Sequence, residues 1–185
     1  ELYETDFDLV KEGLAGNAVR LSLEWSRIFP RPTFGVEGFA ALRAQADGKA
    51  LSHYHSVLRA LKQRGLVPLV TLHHYTLPSW LHDAVGCHKD LATCQPRGWL
   101  DARAVAEITK YAAFAAQEFA GEIDLWATLN EPFAVILPGF IAPTADRTNP
   151  PAALLALTEA RTALLAMISA HARMYDAVKA ADQSD

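Results

Sequence analysis

The segment AVRLSLEW, residues 18–25, decides between the two folds that the rest of the chain allows. Its apolar side chains alternate with Arg20, Ser22 and Glu24, and this two-residue period predicts a β-strand. In a parallel sheet, whose strands are covered on both faces, the three polar side chains would share one face. An apolar helix would cover that face in a doubly wound sheet, whereas the interior of a (β/α)8 barrel has a polar top. The segment therefore favours the TIM barrel.

Two further strands are predicted from short apolar runs at residues 66–72 and 123–129. Helical patterns alternate with the strands, which predicts parallel βα units with right-handed crossovers. The predicted helices cover residues 5–13, 51–64 with Gly65 as the stop, 101–121, and the chain from residue 149 onwards. Residues 30–48 and 73–100 are predicted to be long connections.

The last helix is predicted to bury one face, and His171 on that face is expected to be a core histidine. The predicted face consists of Leu154, Leu157, Arg161, Leu164, Ile168, His171, Tyr175 and Val178.

The number of strands limits the architecture further. A (β/α)8 barrel needs eight strands and usually about 250 residues, whereas this chain has 185 residues and three predicted strands. We therefore expect an α/β protein that holds only part of a barrel, namely three strands and their helices.

Composition argues against several classes of partner. A net charge of −4 gives no electrostatic reason to bind nucleic acid or an anionic membrane. The apolar stretches are interrupted by charges well short of the roughly 20 residues that a membrane span needs. The acidic N-terminal residues lack the character of a signal peptide, so we expect a cytoplasmic protein. No glycine-rich phosphate loop follows a predicted strand.

The two cysteines, Cys87 and Cys94, lie in a predicted connection together with His82 and His88. A zinc site is conceivable, but six intervening residues match no common spacing of zinc ligands. Two free thiols or one local disulfide are the favoured alternatives, and no metal is expected.

The stretch TLNEP, residues 128–132, places Asn130 and Glu131 where the third strand ends. Asn can donate to and accept from a hydroxyl group, and a partly desolvated Glu can deliver a proton near neutral pH. This pair suits a site that holds a sugar and breaks its glycosidic bond. Taken alone, the stretch is also compatible with a surface turn, because Glu131 precedes a proline.

Three motifs together resemble glycoside hydrolase family 1, the retaining β-glucosidases, β-galactosidases and their relatives. They are Asn130-Glu131-Pro132, RLSLEWSRIFP at residues 20–30 and TLHHYTLP at residues 71–78, and Gly98-Trp99-Leu100 also fits. The motifs occur in the family's order over nearly the whole chain. Glu-Trp-Ser-Arg at residues 24–27, and Trp-Leu-His-Asp at residues 80–83 with the long connection after it, are most similar to the archaeal-type branch. Tyr75 departs from the Trp or Phe that the family usually has there.

The resemblance implies roles for four residues. Glu131 would be the general acid/base, and Asn130 would hydrogen-bond the sugar 2-hydroxyl. His74 would bind another hydroxyl of that sugar, while Arg20 would keep the nucleophilic carboxylate ionised. No cofactor is implied, because two carboxylates suffice for this chemistry.

The resemblance also shows what this sequence lacks. The family's nucleophile is a Glu in a Thr-Glu-Asn-Gly-type motif, and no Glu-Asn-Gly occurs here. Residues 1–185 are therefore expected to be one partial barrel domain without the first strand and the C-terminal half. We expect the isolated chain to be inactive and to need the remaining barrel segments as partners. Glu24 or Glu37 could be nominated as the second carboxylate, but no motif supports either.

Other interpretations of the same residues stay open at this point. Arg20 could simply pair with Glu24. Only one of His73 and His74 can face the interior of a barrel, and the family register selects His74. The tryptophans, Trp25, Trp80, Trp99 and Trp126, could stack on sugars or pack in the core.

The leading functional hypothesis is a retaining β-glycosidase that hydrolyses terminal β-linked sugars from oligosaccharides or aryl glycosides. One alternative is a non-catalytic carbohydrate-binding barrel or scaffold. A second alternative is a 6-phospho-β-glycosidase of the same family.

Overall fold

The computed structural model describes residues 2–181. Its centre is a parallel sheet of three strands, β1 (Ala18–Ser22), β2 (Val67–His73) and β3 (Leu125–Leu129), in the order β1-β2-β3. The predicted parallel arrangement is confirmed, and β1 and β3 form the two edges of the sheet.

Eight α-helices surround and connect the strands in the described part of the chain. They are α1 (Leu2–Asp8), α2 (Trp25–Ile28), α3 (Phe39–Gln45), α4 (Gly48–Gln63), α5 (Ala84–Lys89), α6 (Ala104–Glu118), α7 (Pro132–Ile136) and α8 (Leu157–Ala181). Short π-helices cover Leu9–Gly13 and Leu137–Ile141, and a 3₁₀ turn covers Gly98–Leu100. Within residues 2–181, no helix is long and apolar enough to cross a membrane.

The register brings the carboxyl ends of the strands to one edge of the sheet. Ser22 at the end of β1 pairs with Thr71, and His73 at the end of β2 pairs with Leu129. The Asn130 amide continues this ladder with a 2.9 Å hydrogen bond to the His73 carbonyl. Residues that follow β2 and β3 are therefore neighbours in space although they lie more than 50 positions apart in sequence.

The main core lies between the sheet and α6. Val70 and Leu72 of β2 are buried in one cluster with Ile108 and Tyr111 of α6. Trp25 stacks on the Tyr111 ring with 5.3 Å between ring centroids. Removal of this much apolar surface from water provides most of the driving force for folding.

Several predicted boundaries differ from the observed ones. The first strand ends at Ser22 rather than at residue 25, because the Glu24 side chain caps α2 by accepting from Ser26 N at 3.2 Å. The predicted connections at 30–48 and 73–100 contain α3 and α5 respectively. The last helix begins at Leu157 rather than at 149, since residues 149–156 consist of a short turn, bends and irregular chain.

The predicted buried face of the last helix is wrong. Helix α8 packs against α6 and buries a stripe of small residues and methionines, so only Val178 of the predicted face is buried. The buried stripe is Ala160, Ala163, Ala170, Met167, Met174 and Val178. Alanines let two helices approach closely, which the larger leucines and isoleucines of the other face would prevent.

His171 is exposed instead of being a core histidine. Its Nδ1 atom lies 2.7 Å from the Thr128 hydroxyl on β3. This contact places the exposed face of α8 beside the open edge of the sheet.

The Cys87 and Cys94 side chains form a disulfide, with 4.9 Å between their Cα atoms. Of the alternatives left open by the sequence, the local disulfide is the one observed. Neither sulfur is then available as a thiolate ligand for zinc, and no cluster that could hold a metal is found within residues 2–181.

Candidate active site

The predicted site residues meet at the carboxyl edge of the sheet, where barrel enzymes build their active sites. Arg20 lies on β1, His74 follows β2, and Asn130 and Glu131 follow β3. The register described above brings these three chain segments together.

Arg20 and Asn130 form the central polar contact of the site. Arg20 donates from Nη2 to the Asn130 side-chain oxygen at 2.6 Å and from Nε to the Thr71 hydroxyl at 2.9 Å. Asn130 is only 7% exposed, so the hydrogen bond from the guanidinium satisfies an oxygen that water barely reaches. With that oxygen occupied, the Asn130 NH₂ group is left to donate.

The two neighbouring histidines occupy different environments. His74 is exposed, and its Nδ1 atom lies 2.8 Å from the Ser22 hydroxyl. His73 is buried against Trp99, with 5.2 Å between ring centroids. Burial lowers the pKa of His73 to about 4, and electrostatic repulsion from the neighbouring His74 acts in the same direction. His74 is thus the histidine with an imidazole open to a ligand.

Glu131 lies at the mouth of the site with an exposed side chain. Its Oε2 atom accepts a 2.5 Å hydrogen bond from the Tyr75 hydroxyl. That hydrogen bond raises the pKa of the Tyr75 phenol above its usual value, and burial of the phenol adds to the effect. The sequence marked Tyr75 only as a departure from the family pattern, so its contact with Glu131 was missed.

Glu24 does not pair with Arg20 in the described chain. Its Oε1 accepts from the Ser26 hydroxyl at 2.7 Å, and its Oε2 accepts from the Thr76 hydroxyl at 2.7 Å. The interpretation of Arg20 as an ion-pair partner of Glu24 is therefore wrong. Glu24 instead ties the start of α2 to the segment after β2.

A cavity of about 940 Å³ opens beside Glu131. Tyr75 and Glu131 form one side, and Phe133 and Leu137 supply an apolar wall. A cavity of this size, with an apolar wall and a few polar groups, is typical of a small-molecule site. Glu37 lies elsewhere, in a separate cavity of about 450 Å³ beside α6.

The tryptophans mostly serve packing. Trp25 and Trp99 are buried, and the Trp80 indole donates to the Phe29 carbonyl at 2.9 Å. Trp126 lies on β3 and packs against the main core.

Comparison with known proteins places this geometry in context. The chain matches the family model described as glycosyl hydrolase family 1 over residues 1–184. It is 35% identical to a β-galactosidase of Pyrococcus woesei over 98% of this chain and 39% of that protein. It is 31% identical to β-glucosidase 25 of Oryza sativa over 75% of this chain and 23% of that protein.

Solved structures of similar proteins share the fold of this chain. The β-glycosidase of Thermosphaera aggregans superimposes with a TM-score of 0.91 at 33% identity, covering 99% of this chain and 41% of that one. The β-glucosidase of Pyrococcus furiosus also gives a TM-score of 0.91, covering 99% and 42%. The three strands are therefore part of a (β/α)8 barrel, as predicted. The chain spans about two fifths of the length of these archaeal proteins.

Proposed function

This chain belongs to glycosyl hydrolase family 1, and we propose that it contributes the acid/base half of a retaining β-glycosidase site. The substrate would be a β-linked glycoside or oligosaccharide, as the names of the β-galactosidase and β-glucosidase relatives suggest. The contact that best supports this proposal is the hydrogen bond from Arg20 to Asn130, because it orients an amide directly beside an exposed carboxylate.

In the proposed mechanism, Glu131 protonates the leaving oxygen and then activates the water that releases the glycosyl-enzyme. The NH₂ group of Asn130 binds the sugar 2-hydroxyl, a contact that strengthens in the transition state. His74 binds a further hydroxyl of the same sugar. The cavity beside Phe133 and Leu137 receives the leaving group.

Arg20 has a role in this proposal that differs from the simplest expectation. Its Nη2 and Nε atoms already hold Asn130 and Thr71, and within residues 2–181 it forms no ion pair. The guanidinium would keep a nucleophilic carboxylate ionised only after that carboxylate arrives from another barrel segment. A retaining enzyme needs its two carboxyl groups about 5–5.5 Å apart.

Residues 1–185 are proposed to act as one partial barrel domain that is inactive alone and needs the remaining strands. The predicted independence from nucleic acid and membranes stays a prediction. The predicted cytoplasmic location likewise stays a prediction.

The test is complementation. This chain is combined with the segments of the Pyrococcus woesei β-galactosidase that it does not match, and hydrolysis of an aryl β-glucoside is measured. The completed barrel should turn over the substrate, the isolated chain should not, and Glu131→Gln should lower kcat by at least about 100-fold.

Glu37→Gln is the matched control, because it makes the same change in an exposed glutamate away from the site. Equal activity in the Glu131→Gln and Glu37→Gln barrels would refute the role of Glu131. A completed barrel that binds sugar without turnover would instead support the non-catalytic alternative.

A further inference from the structure

We propose that Tyr75 is a positioning residue for the Glu131 carboxyl group, an inference that rests on the proposed role of Glu131. The phenol holds Oε2 and so directs the other oxygen, Oε1, toward the bond to be cleaved. The two residues come from different βα connections, yet the hydroxyl and Oε2 lie only 2.5 Å apart.

The backbone supports a specific arrangement rather than a chance contact. Tyr75 has a φ of 72° and Glu131 a φ of 40°, so both occupy the left-handed region that residues other than glycine seldom adopt. Such conformations cost energy and persist where the surrounding structure enforces them, often at functional sites. The surrounding structure therefore enforces the backbone conformation of both Tyr75 and Glu131.

Polar contacts and ring packing also hold the phenol itself. The Asn130 side chain lies near the Tyr75 hydroxyl and opposes the effect of Glu131 by lowering the pKa of the phenol, and Arg20 in turn holds the Asn130 oxygen. The His74 ring packs edge-on against the Tyr75 ring, with 4.9 Å between centroids. The phenol therefore lies among the Glu131 carboxylate, the Asn130 side chain and the His74 ring.

The contact leaves the chemistry of Glu131 possible. Within residues 2–181, Oε1 accepts no hydrogen bond, and the side chain borders the large cavity. A phenol O–H can donate to Oε2 whether or not Oε1 carries a proton, because Oε2 is an acceptor in both states. Tyr75 can thus orient the group as an acid in the first step and as a base in the second.

The first test uses the chain alone and does not depend on catalysis. Tyrosines are labelled with ¹³C at Cζ, and Tyr75→Phe identifies the Tyr75 signal among the five tyrosines. The Tyr75 phenol should titrate above its usual pKa, and Glu131→Gln should move that titration to lower pH, because the negative charge it faces is removed. An unchanged titration in Glu131→Gln would overturn the contact.

The second test uses the completed barrel and compares leaving groups. A poor leaving group needs protonation in the transition state, whereas dinitrophenolate leaves without it. Tyr75→Phe should therefore lower kcat/KM roughly tenfold for an alkyl β-glucoside, the effect expected from loss of one hydrogen bond to a charged group. For the dinitrophenyl glucoside, the change in kcat/KM should stay within about twofold.

Tyr175→Phe, the same change at an exposed tyrosine on α8, is the matched control and should leave both substrates unaffected. Equal losses on both substrates in Tyr75→Phe would show a merely structural role and overturn the inference. If Glu131→Gln abolishes acid catalysis while Tyr75→Phe has no effect, only the inference about Tyr75 fails. If Glu131→Gln has no effect, the proposed function fails.

Discussion

The guanidinium of Arg20 and the amide of Asn130 are joined by a 2.6 Å hydrogen bond that links the first strand of the sheet to the end of the third. Asn130 lies 110 residues after Arg20, so the bond depends on correct parallel pairing of all three strands. The bond fixes the orientation of the Asn130 side chain, so that its NH₂ group rather than its oxygen is available to bind a sugar. The contact couples formation of the fold to formation of the site.

Loss of this bond should destabilise the chain. Arg20→Met leaves the buried Asn130 oxygen without its partner, and an unsatisfied buried polar group costs about 1–3 kcal/mol. The free energy of unfolding, measured with urea, should fall by that amount. Arg161→Met, the same change at an exposed position on α8, is the control and should alter it by less than about 0.5 kcal/mol. Equal effects of the two changes would contradict the assignment.

His73 should make stability dependent on pH. Its pKa is about 4 in the fold, against an ordinary 6.5. The unfolded chain therefore binds the proton more readily between these values, so stabilisation is complete above pH 6.5 and is lost as pH falls toward 4. The full difference between these two pKa values corresponds to about 3 kcal/mol in the free energy of unfolding.

Unfolding by urea at pH 7 and at pH 5 measures this effect. His73→Phe should remove most of the difference, since both ring nitrogens of His73 lack hydrogen-bond partners among the described residues. His171→Phe changes an exposed histidine and should keep the difference. A His73→Phe chain with unchanged pH dependence would show that another group titrates.

The Cys87–Cys94 bond should leave no thiol to alkylate in the oxidised chain. Iodoacetamide under denaturing conditions without reductant should add no mass, whereas prior reduction should allow two additions. Closing so short a loop contributes about 2–3 kcal/mol in the chain-entropy model, so replacement of both cysteines by serine should lower stability by that order. Two alkylated thiols before reduction would contradict the bond.

The exposed apolar face of α8 should make the isolated chain associate. Leu165 is 50% exposed, Ile168 56% and Tyr175 57%, and the face lies beside the open edge of β3. Large exposed apolar patches promote association, so sedimentation should show oligomers that Ile168→Glu reduces. Thr162→Glu, on an exposed part of the same helix, should leave them unchanged. A monomeric chain at high concentration would contradict this prediction.

The strands and the architecture could be predicted from the sequence because their signals are local. Alternation of polar and apolar residues around Arg20 and Ser22 gave the first strand and favoured the barrel. The family motifs identified the segments that meet at the carboxyl edge, and the register then determined which side chains touch.

Other features depend on tertiary packing, which a local pattern does not contain. Helix α8 has two apolar stripes, and the choice between Ala163 and Leu164 depends on how closely α6 approaches. The end of the first strand depends on the cap that Glu24 makes. The contact from Tyr75 to Glu131 depends on two left-handed residues that no local pattern marks.

The most direct test of the central claim is the product that azide forms in the completed barrel with Glu131→Gln. If Glu131 is the acid/base, a dinitrophenyl β-glucoside still forms the glycosyl-enzyme, and azide attacks that intermediate to give the β-glucosyl azide with net retention. We predict faster turnover with azide and the β-product. Formation of the α-azide would mean that Glu131 is the nucleophile, and turnover independent of both azide and the substitution would mean that it has neither role.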